Sequence, residues 1–290
     1  MNGIVLVDKP KDWTSHDVVA KLRGILGERR IGHAGTLDPM ATGLLTVFVG
    51  RATRAVEFAE THDKEYIASV RFGISTDTQD ITGSVIRQTG VVPPKTELLA
   101  ALPKYTGELS QIPPMYSALK VNGKKLCDLA RDGREVERKP RRIIISKLDY
   151  LGEDKMGDHS FRVACSKGTY IRTLFCDLGD YLGCGATLTA LRRTRAGDFS
   201  AENAHTLDEI KALMSTGALG SFLLPTQSLF DAFPTFTLTA PQLKKCLCGA
   251  SFPVSAPDGS YRVFDQSGNF IMLGRAESGT MSTIKSFFEV

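Results

Sequence analysis

Between Gly32 and Leu45 the chain places three glycines, one proline, one histidine and one carboxylate, and then runs into an apolar segment. Glycine allows backbone that other residues avoid, and in Asp38-Pro39 the proline holds the preceding residue extended. The pattern is that of a shaped loop presenting two titratable groups, Asp38 and His33, at a fixed place. An aspartate held in this way can act as a nucleophile or as a general base. The competing reading is an ordinary turn with a capping aspartate. Few other polar residues stand in strongly shaped contexts. Tyr66 lies on an alternating segment, and Tyr170 and Arg172 follow Lys167-Gly168-Thr169 at a strand-to-helix turn. A guanidinium there would keep a carboxylate ionised and aimed, and the tyrosines could stack on a nucleobase. The chain contains no G-x-S-x-G, no phosphate-binding Walker loop, no H-E-x-x-H and no dinucleotide fingerprint. The residues alone therefore point to a cofactor-free, carboxylate-dependent enzyme acting on nucleic acid.

These groups need elements to position them. The spacing predicts a buried strand at Gly3–Val7. A helix follows, started by Thr14 or Ser15, with Val18, Val19, Leu22, Ile25 and Leu26 inward and Gly27 as its stop. Leu44–Val49 reads as a strand or the start of a helix. Lys64–Phe72 is a strand with Tyr66, Ala68 and Val70 on one face. Gly73–Gly83 resembles a calcium loop only superficially, because Gln79, Ile81 and Thr82 stand where ligands and a glycine should be, so it reads as a polar turn before a strand at Ser84–Gln88. A helix of about ten residues is expected from Thr96, and a short one at Leu126–Arg131. Ile143–Tyr150 and Phe161–Cys165 read as strands and Ile171–Leu182 as a helix. Ala190–Gly197 reads as a basic element.

The 290 residues carry 42% hydrophobic and 23% charged side chains and a formal charge of +4, ordinary for a globular protein and mildly favourable to an acidic partner. Six scattered cysteines form no C-x-x-C pair, and the N-terminus carries no signal or membrane span, so a reduced cytoplasmic setting is the simplest reading. No self-pairing heptads are visible, so a monomer is expected.

Several motifs fall in one order. They are Asp8-Lys9-Pro10 with Thr14-Ser15-His16-Asp17, Gly32-His33-Ala34-Gly35-Thr36-Leu37-Asp38-Pro39 with Ala41-Thr42-Gly43, and Lys64-x-Tyr66. Then come Thr76-x-Thr78-x-Asp80-x-x-Gly83, Gln111-x-Pro113-Pro114-x-Tyr116-Ser117-Ala118-x-Lys120, Lys167 to Arg172, and Leu191-Arg192-Arg193-Thr194. Together they closely resemble the TruB family of tRNA pseudouridine synthases, bacterial branch, over about two thirds of the chain. The resemblance implies an α+β pseudouridine-synthase fold, with a central mixed, mainly antiparallel sheet flanked by helices. It implies a catalytic domain over residues 1–230 and a small β-rich PUA-like RNA-binding module over 231–290. The implied activity is isomerisation of a T-loop uridine of tRNA, position 55, with base flipping and without metal or nucleotide cofactor.

By the same resemblance Asp38 is the essential aspartate, acting on the sugar, on the base or on a sugar proton. Tyr66 stacks on the flipped base and Arg172 pairs with the aspartate. Tyr170 and Leu191 pack around the base, and His33 fills the gap that the flipped bases leave. Lys9, Lys64 and Arg192 are expected at the RNA, and Arg29-Arg30, Arg134–Arg142 and Arg192-Arg193-Arg195 are expected as phosphate contacts. No obligate protein partner is implied. The rival readings are a non-catalytic RNA-binding or tRNA-folding protein and a guided synthase in a ribonucleoprotein. The sequence departs from the family where Lys11-Asp12-Trp13 replaces a glycine-containing segment and where Cys127 replaces a common tyrosine.

Overall fold

The computed structural model describes residues 1–121 and 123–288. Strand β1 (Gly3–Lys9) is fully apolar up to Val7 and buried. Helix α1 (Ser15–Leu26) starts at Thr14, whose hydroxyl accepts from the Asp17 N–H while the Asp17 carboxylate accepts from the Thr14 N–H, and Gly27 ends it at φ 62°. Thr14 alone is the cap, so the Ser15 side chain is free for other contacts. Strands β2 (Ile31–Ala34) and β3 (Thr42–Val49) bracket the shaped loop. The Leu44–Val49 segment is thus a strand, completely buried because both of its faces are covered, Leu44 and Phe48 in one core and Leu45, Val47 and Val49 in another.

Strands β4 (Lys64–Phe72), β5 (Gly107–Gln111), β6 (Arg141–Glu153) and β7 (His159–Cys165), helix α2 (Ile171–Tyr181) and strand β8 (Ala186–Ala196) complete the scaffold. Among the described residues one ten-stranded sheet runs in the order Leu223–Leu224, β1, β3, β8, β4, β7, β6, β5, with β2 added on β3 and Phe199–Ser200 on β8. Every pairing is antiparallel except β3 with β8. The fold is therefore α+β with a mixed, mainly antiparallel sheet. No helix among the described residues is long and apolar enough to cross a membrane.

Two expectations change. The helix from Thr96 spans Lys95–Ala101 and then tightens into a 3₁₀ turn, Leu102–Tyr105, where Pro103 cannot supply a helical N–H. The basic element at Ala190–Gly197 belongs to a central strand. Its register shifts between Leu188 and Ala190 and again between Arg193 and Arg195, and these bulges break the alternation that would have announced a strand.

The C-terminal residues form a separate five-stranded sheet, with strand order Thr235–Thr237, Gly259–Phe264, Phe270–Glu277, Thr280–Ser286, Phe252–Pro253 and its own core. It is docked firmly on the rest. Leu273, Phe270 and Phe287 share a core with Ile4, Leu6, Phe48 and Phe230. Phe287 and Phe270 stack at 5.1 Å. Arg54 donates to the Ser286 carbonyl at 3.0 Å, and Lys285 meets Glu57 at 2.6 Å.

Gly43 marks a close approach of two strands of the scaffold. It has φ +94°, and a Cβ there would lie 2.3 Å from the Arg193 carbonyl oxygen across the β3–β8 crossing. Both strain and collision oppose any side chain. Gly43→Ala is expected to destabilise the protein by at least about 2 kcal/mol. Denaturant titration would show this as a lowered midpoint, and an unchanged midpoint would refute the close crossing.

Candidate active site

The shaped loop is held from behind by the end of β1 and the start of α1. Ser15 Oγ accepts from the Leu37 N–H at 2.9 Å and donates to the Leu37 carbonyl at 3.2 Å. The carbonyl of Pro39 accepts from the Asp12 N–H at 2.8 Å and from Lys9 Nζ at 3.1 Å. Asp12 occupies the left-handed region, φ 65°, the conformation that a glycine would adopt with least strain and that Asp tolerates better than most residues. The departure at Lys11-Asp12-Trp13 thus keeps the loop shape.

Asp38 lines a cavity of about 410 Å³ together with Lys64, Tyr66, Tyr170, Arg172, Leu191 and Arg193. Its side chain is 39% exposed, whereas that of Arg172 is only 4% exposed. Arg172 donates from each of its three nitrogens. Nε donates to Asp38 Oδ2 at 2.8 Å, Nη1 to the Thr78 carbonyl at 2.6 Å and Nη2 to the Tyr116 carbonyl at 2.9 Å. A second carboxylate, Asp80, sits 3.7 Å from Nε and is buried. Asp80 Oδ1 accepts from the Thr82 N–H and from the Thr78 and Thr82 hydroxyls. The Thr76–Gly83 motif therefore folds as a polar cage that brings one charge and one carbonyl to Arg172. The sequence marked these residues as a motif but gave them no role.

Tyr66, on β4, is 8% exposed, and burial raises its phenol above the ordinary tyrosine range, so it stays protonated at neutral pH. Tyr170 caps α2. Its main-chain N–H donates to Gln111 Oε1 at 2.9 Å, and its carbonyl accepts from Gln111 Nε2 at 3.0 Å, a clamp that sequence reasoning missed. Burial likewise raises the Tyr170 phenol. Leu191, 7% exposed, closes the wall from β8.

The basic residues divide. Arg192 is exposed and pairs end-on with both oxygens of Asp8 at 3.0 and 2.8 Å. Arg193 corrects the phosphate-contact expectation for the 192–195 run. It is 1% exposed, with Nε on the Leu44 carbonyl at 2.7 Å and Nη2 on the Gly35 carbonyl at 2.9 Å. It faces the cavity with Leu191 because strand residues two apart share a face. Lys9, expected at the RNA, is fully buried and gives its three protons to the Pro10, Trp13 and Pro39 carbonyls. That leaves none for a substrate. Lys64 lines the cavity but donates to the Glu60 carbonyl at 3.0 Å and to the His62 carbonyl. Burial lowers both lysines to about 8. No cluster of His, Cys, Asp and Glu suited to a metal is present among the described residues.

His33 lies on β2, outside the cavity lining, edge-on to His16 at 5.4 Å. Burial, then His16 and Arg193, lower its pKa to about 4, so it is neutral at pH 7. The folded state therefore takes up no proton at His33 between the ordinary value near 6.5 and about 4, whereas the unfolded chain does. Stability present above pH 6.5 is lost as pH falls through that window. Replacing His33 by Gln is expected to flatten this loss. Urea midpoints of wild type and variant at pH 7 and pH 4.5 would show it, and parallel pH dependences would contradict it.

A family model described as TruB family pseudouridylate synthase (N terminal domain) matches residues 23–171. A second, described as tRNA pseudouridylate synthase B C-terminal domain, matches residues 172–231. The tRNA pseudouridine synthase B of Chromobacterium violaceum is 43% identical over 282 residues, covering 95% of this chain and 91% of its own. That of Clostridium kluyveri is 38% identical over 293 residues, covering 99% and 100%. Among solved structures, a Cbf5-Nop10-Gar1 complex superposes with a TM-score of 0.74 at 26% identity, covering 99% of this chain and 85% of that one. With both family models matched end to end around Asp38 and Arg172, this chain belongs to the TruB family of pseudouridine synthases.

Proposed function

We propose that this protein isomerises one T-loop uridine of tRNA, position 55, to pseudouridine. In that reaction the N1–C1′ bond breaks, the base turns and a C5–C1′ bond forms. C5 gives up a proton and N1 acquires one, so the change is redox-neutral and requires no cofactor. The observation that carries the reading is the Asp38–Arg172 ion pair at the wall of a cavity lined by Tyr66, Tyr170 and Leu191. One carboxylate oxygen is fixed by Arg172, while the other has no hydrogen bond among the described residues. Asp38 is then a charged, aimed nucleophile or base whose partner cannot swing away.

The uridine must leave the helical stack to reach Asp38, at a cost of a few kcal/mol. Stacking on Tyr66 and packing against Tyr170 and Leu191 offset part of that cost. His33, neutral and half-buried, presents a ring that can occupy the gap in the RNA without carrying a charge into it. We assign the RNA backbone to the exposed cations, among them Arg29, Arg141, Lys167 and Arg192. We assign residues 231–290 to a PUA-like accessory module, where Lys244 and Lys245 end its helix Ala240–Leu247. The enzyme acts as a monomer on tRNA, without a guide RNA or protein partner, in the cytoplasm.

Purified protein incubated with unmodified tRNA transcript is expected to form one pseudouridine in the T-loop. Asp38→Asn should form none while binding tRNA with affinity within about threefold of wild type, since 1.4 kcal/mol already makes a factor of ten. Product from the variant would remove Asp38 as the catalyst, and binding without product by the wild type would favour the non-catalytic tRNA-folding reading. Arg172→Lys keeps the charge but cannot span Asp38 and two carbonyls at once. Its turnover is expected to fall by about 100-fold or more, as for other misaligned groups. Near-normal single-turnover rates would sink the pairing.

A further inference from the structure

We propose that Ser15 is a positioning residue for this reaction, fixing the aim of Asp38 through the Leu37 peptide groups. The residue has no other evident duty. Thr14 and Asp17 already complete the cap of α1, so the Ser15 hydroxyl is not needed to start the helix. It is 1% exposed and reaches 22 positions along the chain, where it both accepts from the Leu37 N–H at 2.9 Å and donates to the Leu37 carbonyl at 3.2 Å. That carbonyl belongs to the peptide plane that enters Asp38, so the hydroxyl fixes the rotations on either side of residue 37. On the far side of Asp38, the Pro39 carbonyl is held by the Asp12 N–H and by Lys9 Nζ. Asp38 is thereby pinned from both neighbours while its own side chain, 39% exposed, faces the cavity.

Removing the hydroxyl leaves a buried N–H and a buried carbonyl unpaired, and the loop relieves that by moving. Arg172 follows from α2 and cannot restore the aim, because two of its three bonds go to other loops. The consequence is a loss in the chemical step rather than in RNA binding, since Ser15 lies behind the loop, away from the cavity lining.

The proposal rests on Asp38 being the catalytic carboxylate. Single-turnover rate, tRNA affinity and thermal midpoint should be measured for wild type, Ser15→Ala, Ser15→Thr and Ser15→Cys. Val19→Ala serves as a control: Val19 is a buried residue of the same helix whose loss costs stability without touching the loop. Ser15→Ala is expected to slow the single-turnover rate by on the order of 10- to 100-fold with affinity within about twofold. Ser15→Thr, which keeps the hydroxyl, should recover most of the rate, and Val19→Ala should keep it despite a lowered midpoint. If Ser15→Ala does not fold, Ser15→Cys, a weaker donor of similar size, must fall between Thr and wild type on one side and Asp38→Asn on the other. A wild-type rate in Ser15→Ala or Ser15→Cys, a Thr variant as slow as Ala, or an equal rate loss in Val19→Ala overturns the proposal. An active Asp38→Asn would instead overturn the reading beneath it.

Discussion

The site depends on one buried guanidinium. Arg172 is almost removed from water, and a charge in that position is tolerated only when it is paired and hydrogen-bonded, as each of its three nitrogens is. Its partners come from three separate loops: Asp38 from the segment between β2 and β3, Thr78 from the Thr76–Gly83 cage, and Tyr116 from the proline-fixed segment after β5. Each loop is therefore placed relative to the same cation, and a shift in any one would leave a buried donor unmatched. Asp80 adds a second carboxylate that stays beside Arg172 whatever Asp38 does.

The same device recurs in the walls of the cavity and behind the shaped loop. Lys9, Lys64 and Arg193 are also buried cations, and each is satisfied by main-chain carbonyls, those of turns for the two lysines and those of Leu44 in β3 and of Gly35 for Arg193. Carbonyls in sharply shaped loops point away from any sheet ladder and need donors. Long basic side chains arriving from neighbouring strands supply them. The shape of the Gly32–Gly43 loop is in this sense stored in residues far from it: Lys9, Asp12 and Ser15 behind, Arg193 beside, Arg172 in front. Gly43 permits it by letting β3 and β8 cross where no side chain fits.

Much of this was legible from the chain. The capping residues and terminal glycine of α1, the alternation of Lys64–Phe72 and the helix from Ile171 are local signals, and each is set by residues close in the chain. Asp38, Tyr66 and Arg172 stood out by their shaped local contexts, and the roles expected of them rested on motif order. The strand Ala186–Ala196 was not legible, because two bulges interrupt its alternation and its basic residues mimic a solvated face. Nor was the division among the basic residues. Arg192 and Arg193 are adjacent and chemically identical, yet one is exposed and the other is 1% exposed, because successive strand residues point to opposite faces.

The sequence by itself therefore determined the elements with strong local patterns, the family and the position of the carboxylate loop, since these follow from short-range pattern and motif order. Only the tertiary structure decided what each charged group does. A buried lysine bound to carbonyls and an exposed lysine awaiting a phosphate are the same letter in the chain. What separates them is which loops, tens of residues away, arrive to desolvate and satisfy them. The Gly32–Gly43 stretch carries the carboxylate, but its aim is fixed by a serine, a lysine and an arginine brought to it by folding.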